Sequence, residues 1–395
     1  MKSYRYLIGI FGIILLGIFF LKLLLSGVDE NPESYAVSQV QVRSGKVREG
    51  GIAVWQGFEH NWTYNHRLNR LGDYIHIAST NQNKFEVTDT HTAATGIGDD
   101  EATYLSYFTF FQVNGVEAIQ EQVSFHFQNR QGNPSRQTAQ ISVPWDKAPE
   151  KPRIIAVLNG YDLVTNRSAF KLQTLQISVS NPHYDPVNKQ ITCRVNATLN
   201  MRCRSIECRK FEPDYNYTLQ VNVLLLRSGP VMHSVEGHYQ QIYNWDRKTE
   251  AQVRPVRDEL VGTGNNTYPN AVLGFRALSI LLNREHWFID IASAIHPGQY
   301  DQRNGSYTFD LTLLFKAWKK GMRRHSADRL DSQFSFREKG SAVLLATVEL
   351  IQLPAGCVQE KTIPGQISWR ERRRNPRSAA AEQSIQTSFG SNCTE

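Results

Sequence analysis

The chain has 395 residues, with 44 Lys and Arg against 37 Asp and Glu, and a formal net charge of +7. Residues 1–27 hold three basic residues and no acid, and residues 370–377 hold five arginines and one glutamate, so these two segments carry the whole excess. The remainder is nearly neutral, which argues against nucleic acid as a partner.

The first predicted element is a membrane-spanning helix at residues 7–25, where every residue except Lys22 is apolar or glycine. A helix of this length is about 28 Å long, which matches the ~30 Å hydrocarbon core of a bilayer. Lys2 and Arg5 precede the span and acidic residues follow it, so the N-terminus is expected in the cytoplasm and the bulk of the chain outside. The apolar region is too long for a cleaved signal peptide, and we therefore expect a single-pass signal anchor.

Residues 57–79, GFEHNWTYNHRLNRLGDYIHIAS, are the densest cluster of histidine, arginine and aromatic residues in the chain. Thr63 is a good N-cap, apolar residues recur at helical spacing from Tyr64 to Leu71, and Gly72 suits a helix C-terminus. This pattern predicts a short helix. The following segment, DYIHIAS, predicts a strand in which Ile75 and Ile77 face away from Tyr74 and His76.

Four residues of this stretch form the candidate ligand-binding set: Trp62, His66, Arg67 and Arg70. Arginines bind carboxylates and sulfates bidentately and tryptophan stacks on sugar rings, so the set could form an anion or sugar-acid subsite. The alternative is a structural cap whose polar groups are solvated or satisfied by the backbone. A metal site built from His60, His66 and His76 would need the three to converge, which nothing in the sequence indicates, so we predict no metal and no cofactor.

Period-2 alternation is the dominant pattern in the rest of the chain. It is cleanest in SYTFDLTLLFKAW, residues 306–318, where large apolar residues alternate with Ser306, Thr308, Asp310 and Thr312. With a second strand at residues 286–297 and a turn-rich loop at 298–306, this segment predicts a hairpin with a long tip. Six further segments show the same alternation: 104–113, 123–129, 137–143, 172–181, 216–226 and 342–353. Strands without intervening long helices predict an all-β, antiparallel β-sandwich or jelly roll.

The domain organisation is predicted from breaks in composition. Residues 143–153, VPWDKAPEKPR, place three prolines between strand-like runs, which suggests a boundary between two β domains or, alternatively, a loop within one sandwich. The predicted divisions are residues 1–28 for the cytoplasmic tail and anchor, 29–148 and 149–369 for two β domains, and 370–395 for a basic, disordered tail. RERR at 370–373 fits a secretory convertase site, a patch for anionic glycans or lipids, or a solvated tail.

Cysteines and sequons fit an extracytoplasmic location. The disulfide candidates are Cys193, Cys203, Cys208 and Cys357, with two of the first three expected to pair and Cys393 left over. Asn-x-Ser/Thr acceptor patterns for glycosylation occur at Asn61, Asn166, Asn196, Asn216, Asn265, Asn304 and Asn392.

No nucleotide-binding, zinc-protease, EF-hand or nucleophile-elbow motif is present in the sequence, so no catalytic residue can be assigned from a motif. The first hypothesis is a membrane-anchored extracytoplasmic protein that acts in binding, adhesion or assembly with a glycan or protein partner. The second is a lumenal or surface carbohydrate-active enzyme whose dispersed carboxylates would include Asp290, Asp301 or Asp310. The second hypothesis requires a concave pocket that holds two carboxylates within about 10 Å of each other.

Overall fold

The structure is a computed structural model, and the predicted membrane-spanning segment at residues 7–25 lies outside the residues it describes. Within those residues no helix is long and apolar enough to cross a membrane. The described residues are 40–62, 68–81, 84–95, 101–129, 135–145, 154–165, 172–201, 215–228, 233–245, 255–264, 266–286, 288–317, 340–368 and 380–390.

The described residues form strands joined by turns, and they contain no helix. In chain order the strands are β1 (Val40–Trp62), β2 (Leu68–Asn81), β3 (Lys84–Thr95), β4 (Glu101–Asn129), β5 (Ser135–Pro144), β6 (Ile154–Thr165), β7 (Leu172–Val179), β8 (His183–Asp185), β9 (Gln190–Met201), β10 (Tyr215–Ser228), β11 (His233–Trp245), β12 (Val256–Val261), β13 (Asn270–His286), β14 (Phe288–Asp301), β15 (Ser306–Ala317), β16 (Gly340–Leu353), β17 (Gly356–Ser368) and β18 (Ala380–Gly390).

The strands form two sheets, and every strand pair that the structure describes is antiparallel. The first sheet has the order β12-β15-β14-β1-β4-β10-β6-β2-β3-β18, with β17 also paired to β4. The second has the order β11-β16-β13-β7-β9-β5, with β8 paired to β9. The predicted all-β, antiparallel class is confirmed, and the arrangement is consistent with a β-sandwich.

The long strand β4 organises the first sheet. One of its edges pairs with β1, while β17 and β10 follow one another along the other edge, β17 on residues 101–113 and β10 on residues 116–129. Gly115 lies where these two partners meet and has a positive φ, a left-handed conformation that glycine adopts without strain. The register with β1 also shifts here, between Glu49 and Gly51, and β4 is paired with β1 on both sides of this irregularity.

The first sheet curls strongly on itself. Four strand spacings separate β1 from β2, so in a flat sheet the two strands would lie about 19 Å apart. Instead Trp55 Nε1 on β1 donates a hydrogen bond to Asp73 Oδ2 on β2 at 2.6 Å. The enclosed space is filled by aromatic side chains, with Trp55 and Phe275 ring centroids 5.6 Å apart across the two sheets. Burial of this apolar and aromatic surface is the main driving force for the fold.

The β14–β15 hairpin confirms the clearest sequence pattern. The five predicted inward residues are all nearly inaccessible, and they are Tyr307, Phe309, Leu311, Leu313 and Phe315. The predicted long tip is wrong, because pairing continues to Asp301↔Ser306 and leaves only residues 302–305 as the turn. Asp301 closes this turn by accepting hydrogen bonds from Arg303 N at 2.9 Å and Asn304 Nδ2 at 2.8 Å. The turn residues thus shape a tight turn instead of a loop.

The predicted helix after Thr63 is wrong for the residues that the structure describes, because Leu68–Asn81 is a strand. Leu71, Ile75 and Ile77 are all buried, whereas His76 between the last two is exposed, as the alternation of a strand requires. The expected opposition of Ile75 and Ile77 to Tyr74 and His76 is confirmed. Pairing with both β3 and β6 satisfies the backbone of this strand, which outweighs a capping pattern of a few residues.

The predicted boundary at residues 143–153 falls between strands that belong to two interleaved sheets. The first sheet joins strands from both sides of it, since β4 pairs with β10, and the second joins β5 with β9. Residues of both segments also share one core cluster, as Trp55 and Phe275 illustrate.

The prediction that residues 370–395 stay disordered is wrong for Ala380–Gly390, which form β18. This strand pairs with β3 from Ala380↔Ala94 to Gly390↔Lys84 and covers an edge of the first sheet. Backbone hydrogen bonding to an open edge can order a segment that has little apolar periodicity of its own. The RERR motif at residues 370–373 lies outside the described residues.

Candidate functional site on the outer face of the first sheet

Five neighbouring strands each contribute one side chain to a line of polar groups across the first sheet. This line, the polar row, consists of Arg257 (β12), Asp310 (β15), His296 (β14), Glu59 (β1) and Tyr107 (β4). Arg257 Nε and Nη2 donate to the two Asp310 oxygens at 2.9 and 3.3 Å, and Asp310 is the register partner of His296. His296 Nε2 lies 3.1 Å from Glu59 Oε1, and the Tyr107 hydroxyl donates to that same oxygen at 3.3 Å.

Strand alternation explains why these groups face away from the core on β14 and β15. Phe309 and Leu311 are buried, so Asp310 between them points to the opposite face together with its partner His296. The polar row therefore lies on the side of the sheet that is not occupied by the main apolar core.

On β1, a β-bulge places the polar side chain on the outer face of the sheet. Trp55 and Phe58 are three residues apart, so strict alternation would send them to opposite faces, yet both are fully buried with ring centroids 6.3 Å apart. The register shift between Trp55 and Gly57 corrects the alternation and leaves Glu59 on the outer face. Gly57 has a positive φ, and a Cβ there would overlap the Ser293 carbonyl oxygen, so only glycine fits.

The polar row is accessible at its middle and at one end. The side chains of Glu59 and Asp310 are each about one third exposed, at 34% and 35%, whereas that of Arg257 is 82% exposed. Tyr107 is buried, and its ring meets the His296 ring edge-on with centroids 4.8 Å apart. Burial, reinforced by the charge of Glu59 and the hydrogen bond to it, raises the pKa of Tyr107, so this phenol stays a neutral donor.

The geometry does not match a nucleophilic triad. In a Ser-His-Asp arrangement the carboxylate orients one ring nitrogen while the other nitrogen activates the hydroxyl. Here Thr312 Oγ1 lies 3.0 Å from His296 Nε2, the same nitrogen that meets Glu59. The row offers instead carboxylate acceptors, a guanidinium, a hydroxyl and an imidazole on one sheet face, which suits hydrogen bonding to a polar partner.

An open pocket of about 470 Å³ lies beside the β14–β15 turn. Its lining residues are Pro269, Gln299, Tyr300, Asp301, Gln302, Arg303, Ser306 and Thr308. Asp301 is the one carboxylate among them, and both of its oxygens already accept hydrogen bonds within the turn. The pocket thus lacks, among these lining residues, the two carboxylates that glycoside hydrolysis requires.

The three carboxylates considered for an enzyme are placed differently by the structure. Asp301 shapes the turn, and Asp310 belongs to the polar row. Asp290 lies in β14 opposite Asn61 on β1 and Lys316 on β15, and its side chain is outside the described part of the chain. The structure therefore brings together Asp310 and Glu59, each next to His296, rather than the three predicted acids.

The predicted ligand-binding set is described only at Arg70. Its guanidinium is engaged by Asp162, with Nε 2.9 Å from Oδ1 and Nη2 2.6 Å from Oδ2. The Asp162 side chain is 1% exposed, so this pair is an internal one that links β2 to β6. The side chain of Trp62 and the whole of His66 and Arg67 lie outside the described residues.

The histidines considered for a metal site lie in different environments, since His60 is buried, His76 is exposed and His66 is outside the described residues. Within the described part, no group of three His, Cys, Asp or Glu side chains is arranged to hold a metal ion.

A second polar cluster, centred on Asp73, lies inside the curl of the first sheet. Asp73 is fully buried, and it accepts from Trp55 Nε1 and from the hydroxyl of Ser106. Burial, reinforced by the charge of Asp73, raises the pKa of Tyr161 beside it. Nearby, Asn159 accepts from Trp55 N at 3.2 Å and donates to the Ile75 carbonyl at 2.8 Å. These bonds tie β1, β2, β4 and β6 together, which is a structural role.

Cys193 is a buried, free thiol in β9. Burial, together with the charge of Glu121, raises the pKa of this thiol to about 12, although Arg276 acts in the opposite direction. Cys203 and Cys208 lie outside the described residues and the side chain of Cys357 is not described, so the predicted disulfide stays a prediction.

The sequons fall in several environments. Asn304 is exposed in the β14–β15 turn, while Asn196 lies in β9, where its Oδ1 accepts from Thr138 Oγ1 at 2.8 Å. Asn61 and Asn216 lie in β1 and β10 with side chains that are not described. The remaining acceptor positions, outside the described residues, are Asn166, Asn265 and Asn392.

Sequence patterns identified Asp310 as an outward residue, but they missed the other four members of the polar row. Glu59, Tyr107, His296 and Arg257 come from four strands separated by many residues, and no local motif connects them. No protein-family model matches this sequence, and no curated protein or solved structure is significantly similar to it.

Proposed function

We propose that this chain is a membrane-anchored, extracytoplasmic β-sandwich protein that acts in binding, adhesion or assembly, with a glycan or a protein as its partner. The observation that carries the proposal is the polar row, which places hydrogen-bonding groups from five adjacent strands on one sheet face, with those of four strands accessible to a partner. Sheet faces of this kind present many hydrogen-bonding groups in a fixed array, which suits recognition of a polar surface.

The membrane anchor in this proposal is supported by the apolar residues 7–25 and by the charges that flank them. N-terminal sequencing of the mature protein tests it. We expect the mature chain to retain the anchor, and a mature N-terminus near Val28 would show that the segment is a cleaved signal peptide.

Binding by the polar row is tested with the full chain in detergent micelles on an array of neutral, uronic and sulfated glycans. We expect Glu59→Gln and His296→Gln to weaken binding, because each removes a charge-assisted hydrogen bond at the centre of the row. Arg194→Ala is the matched control, since Arg194 is exposed on a strand of the second sheet. If all three variants bind glycan equally well, the ligand does not bind at the polar row. If the wild-type chain binds no glycan on the array, the glycan alternative fails and a protein partner is the remaining one.

The second candidate, a carbohydrate-active enzyme, is favoured by one observation: Glu59 and Asp310 both lie beside His296. These two carboxylates lie on β1 and β15, the strands on either side of β14. Glycoside hydrolysis requires a pair of carboxylates. Turnover of aryl glycosides by the full chain, abolished by both Glu59→Gln and Asp310→Asn, would support the enzyme. Binding without turnover would support the first proposal.

A further inference from the structure

A stacked arginine–tryptophan pair lies between the two sheets, far in sequence from every residue of the polar row. Arg227 is the second-last residue of β10 in the first sheet, and Trp145 directly follows the last residue of β5 in the second. The guanidinium carbon of Arg227 lies 4.3 Å from the centroid of the Trp145 ring. Both residues are almost inaccessible to solvent, so this is a desolvated cation–π contact.

The pair carries buried donors that lack acceptors. Among the residues that the structure describes, none accepts a hydrogen bond from Arg227 Nε, Arg227 Nη2 or Trp145 Nε1. Arginine Nε and Nη2 form one edge of the guanidinium with parallel N–H groups, and the indole contributes a further N–H. Buried donors in proteins are almost always hydrogen-bonded, so a donor set of this size indicates a site for an acceptor.

Two other arginines of this chain show what that edge binds. Arg70 uses Nε and Nη2 to hold both oxygens of Asp162, and Arg257 uses the same two atoms to hold both oxygens of Asp310. The edge of a guanidinium matches the two oxygens of a carboxylate in spacing and direction. Arg227 presents this same edge without a carboxylate on it.

Nearby charges limit the ligand to a weakly charged one. Glu117 is the direct cross-strand neighbour of Arg227, and Glu117 and Glu121 both act on its guanidinium electrostatically. Burial lowers the pKa of Arg227, and these two charges act against that effect. The same two charges oppose a multiply charged anion. A single carboxylate gains two parallel hydrogen bonds and meets less repulsion than sulfate or phosphate would.

We propose that the Nε/Nη2 edge of Arg227, with the indole N–H of Trp145, binds a singly charged carboxylate of a ligand. Both residues lie at strand ends. This site is independent of the polar row, and either proposal can fail while the other holds.

The test is an acetate titration of the full chain in detergent micelles, followed by the indole ¹H–¹⁵N resonances of its seven tryptophans. Trp145→Phe identifies the Trp145 signal. We expect acetate to shift this signal in a saturable manner, while sulfate shifts it at concentrations at least about tenfold higher, because of the two glutamates. Absence of a shift with acetate, or equal affinity for sulfate, would overturn the proposal.

Two variants separate the site from general effects of salt. Arg227→Lys removes the parallel donor pair and is expected to weaken acetate binding at least about tenfold, whereas Arg194→Lys, at an exposed position of β9, leaves it unchanged. If Arg227→Lys does not fold, Glu117→Gln tests the site instead, because the loss of one opposing charge should tighten acetate binding. Equal binding in wild type and Arg227→Lys, or no tightening in Glu117→Gln, contradicts the proposed site.

Discussion

Two arginine–aspartate pairs of this chain share one geometry but differ in burial, which makes them a controlled comparison. Arg70 holds Asp162 through distances of 2.9 and 2.6 Å, and Arg257 holds Asp310 through distances of 2.9 and 3.3 Å. The side chain of Asp162 is 1% exposed, whereas that of Asp310 is 35% exposed. Replacing each arginine by alanine therefore compares two losses of stability: one from leaving a buried carboxylate without its guanidinium partner, and one from losing an ion pair at the surface.

We predict that Arg70→Ala lowers the free energy of unfolding by about 3–5 kcal/mol, because a buried carboxylate loses its guanidinium partner. Arg257→Ala should leave the free energy of unfolding unchanged within the error of the titration, since water solvates Asp310 in its place. Urea titration of the full chain in detergent, followed by circular dichroism of the strands, measures both. If the free energy of unfolding falls by about 3 kcal/mol per molar urea, Arg70→Ala should lower the urea concentration at the unfolding midpoint by at least about 1 M.

A double-mutant cycle identifies the cause of the loss. Asp162→Asn in the Arg70→Ala background removes the stranded charge and keeps the side-chain volume, so it should restore part of the lost stability. Equal midpoints for Arg70→Ala and Arg257→Ala would refute the reasoning. A double variant no more stable than Arg70→Ala would show that the buried charge is not the source.

Three further predictions concern the interior. Trp55→Phe should lower the free energy of unfolding by about 1.5–3 kcal/mol in urea titration, because Asp73 loses a charge-assisted donor. Trp145→Phe should lower it less, because the indole N–H of Trp145 has no acceptor among the described residues. The reverse order of the two variants would contradict this account. Gly57→Ala should cost at least about 3 kcal/mol, since the new Cβ would overlap a backbone carbonyl; a midpoint close to wild type would mean that the bulge is not rigid. The pKa of Cys193 is raised to about 12 in the folded state, whereas the unfolded thiol ionises near pH ~8.5. The free energy of unfolding should therefore fall by about 1 kcal/mol as the pH rises from ~8.5 to about 9.5. Cys193→Ala should remove this fall, and the same alkaline stability profile in wild type and variant would argue against it.

Much of the fold was predictable because strand alternation is a local property. The side chains of β15 alternate between core and outer face, and the same is true of the end of β2 at Ile75 and Ile77. The helix expected after Thr63 was wrong for the described residues from Leu68 on, because caps and a few spaced apolar residues are weak signals. Strand pairing on both edges satisfies the backbone of residues 70–74 instead. The order of Ala380–Gly390 was missed for a related reason, since it depends on the open edge of β3.

The sequence by itself determined that the described part of this chain is all-β and which residues of β15 face the core, because both follow from the period of the strand. The tertiary structure alone decided the partners of the charged groups. Arg70 was a candidate for an external anion, and it holds Asp162, 92 positions along the chain. Glu59 and His296 come together only because β1 and β14 are neighbours in the sheet. Contacts between strands so far apart in sequence depend on the order and register of the strands in the sheet. Neither can be predicted from a short stretch of residues.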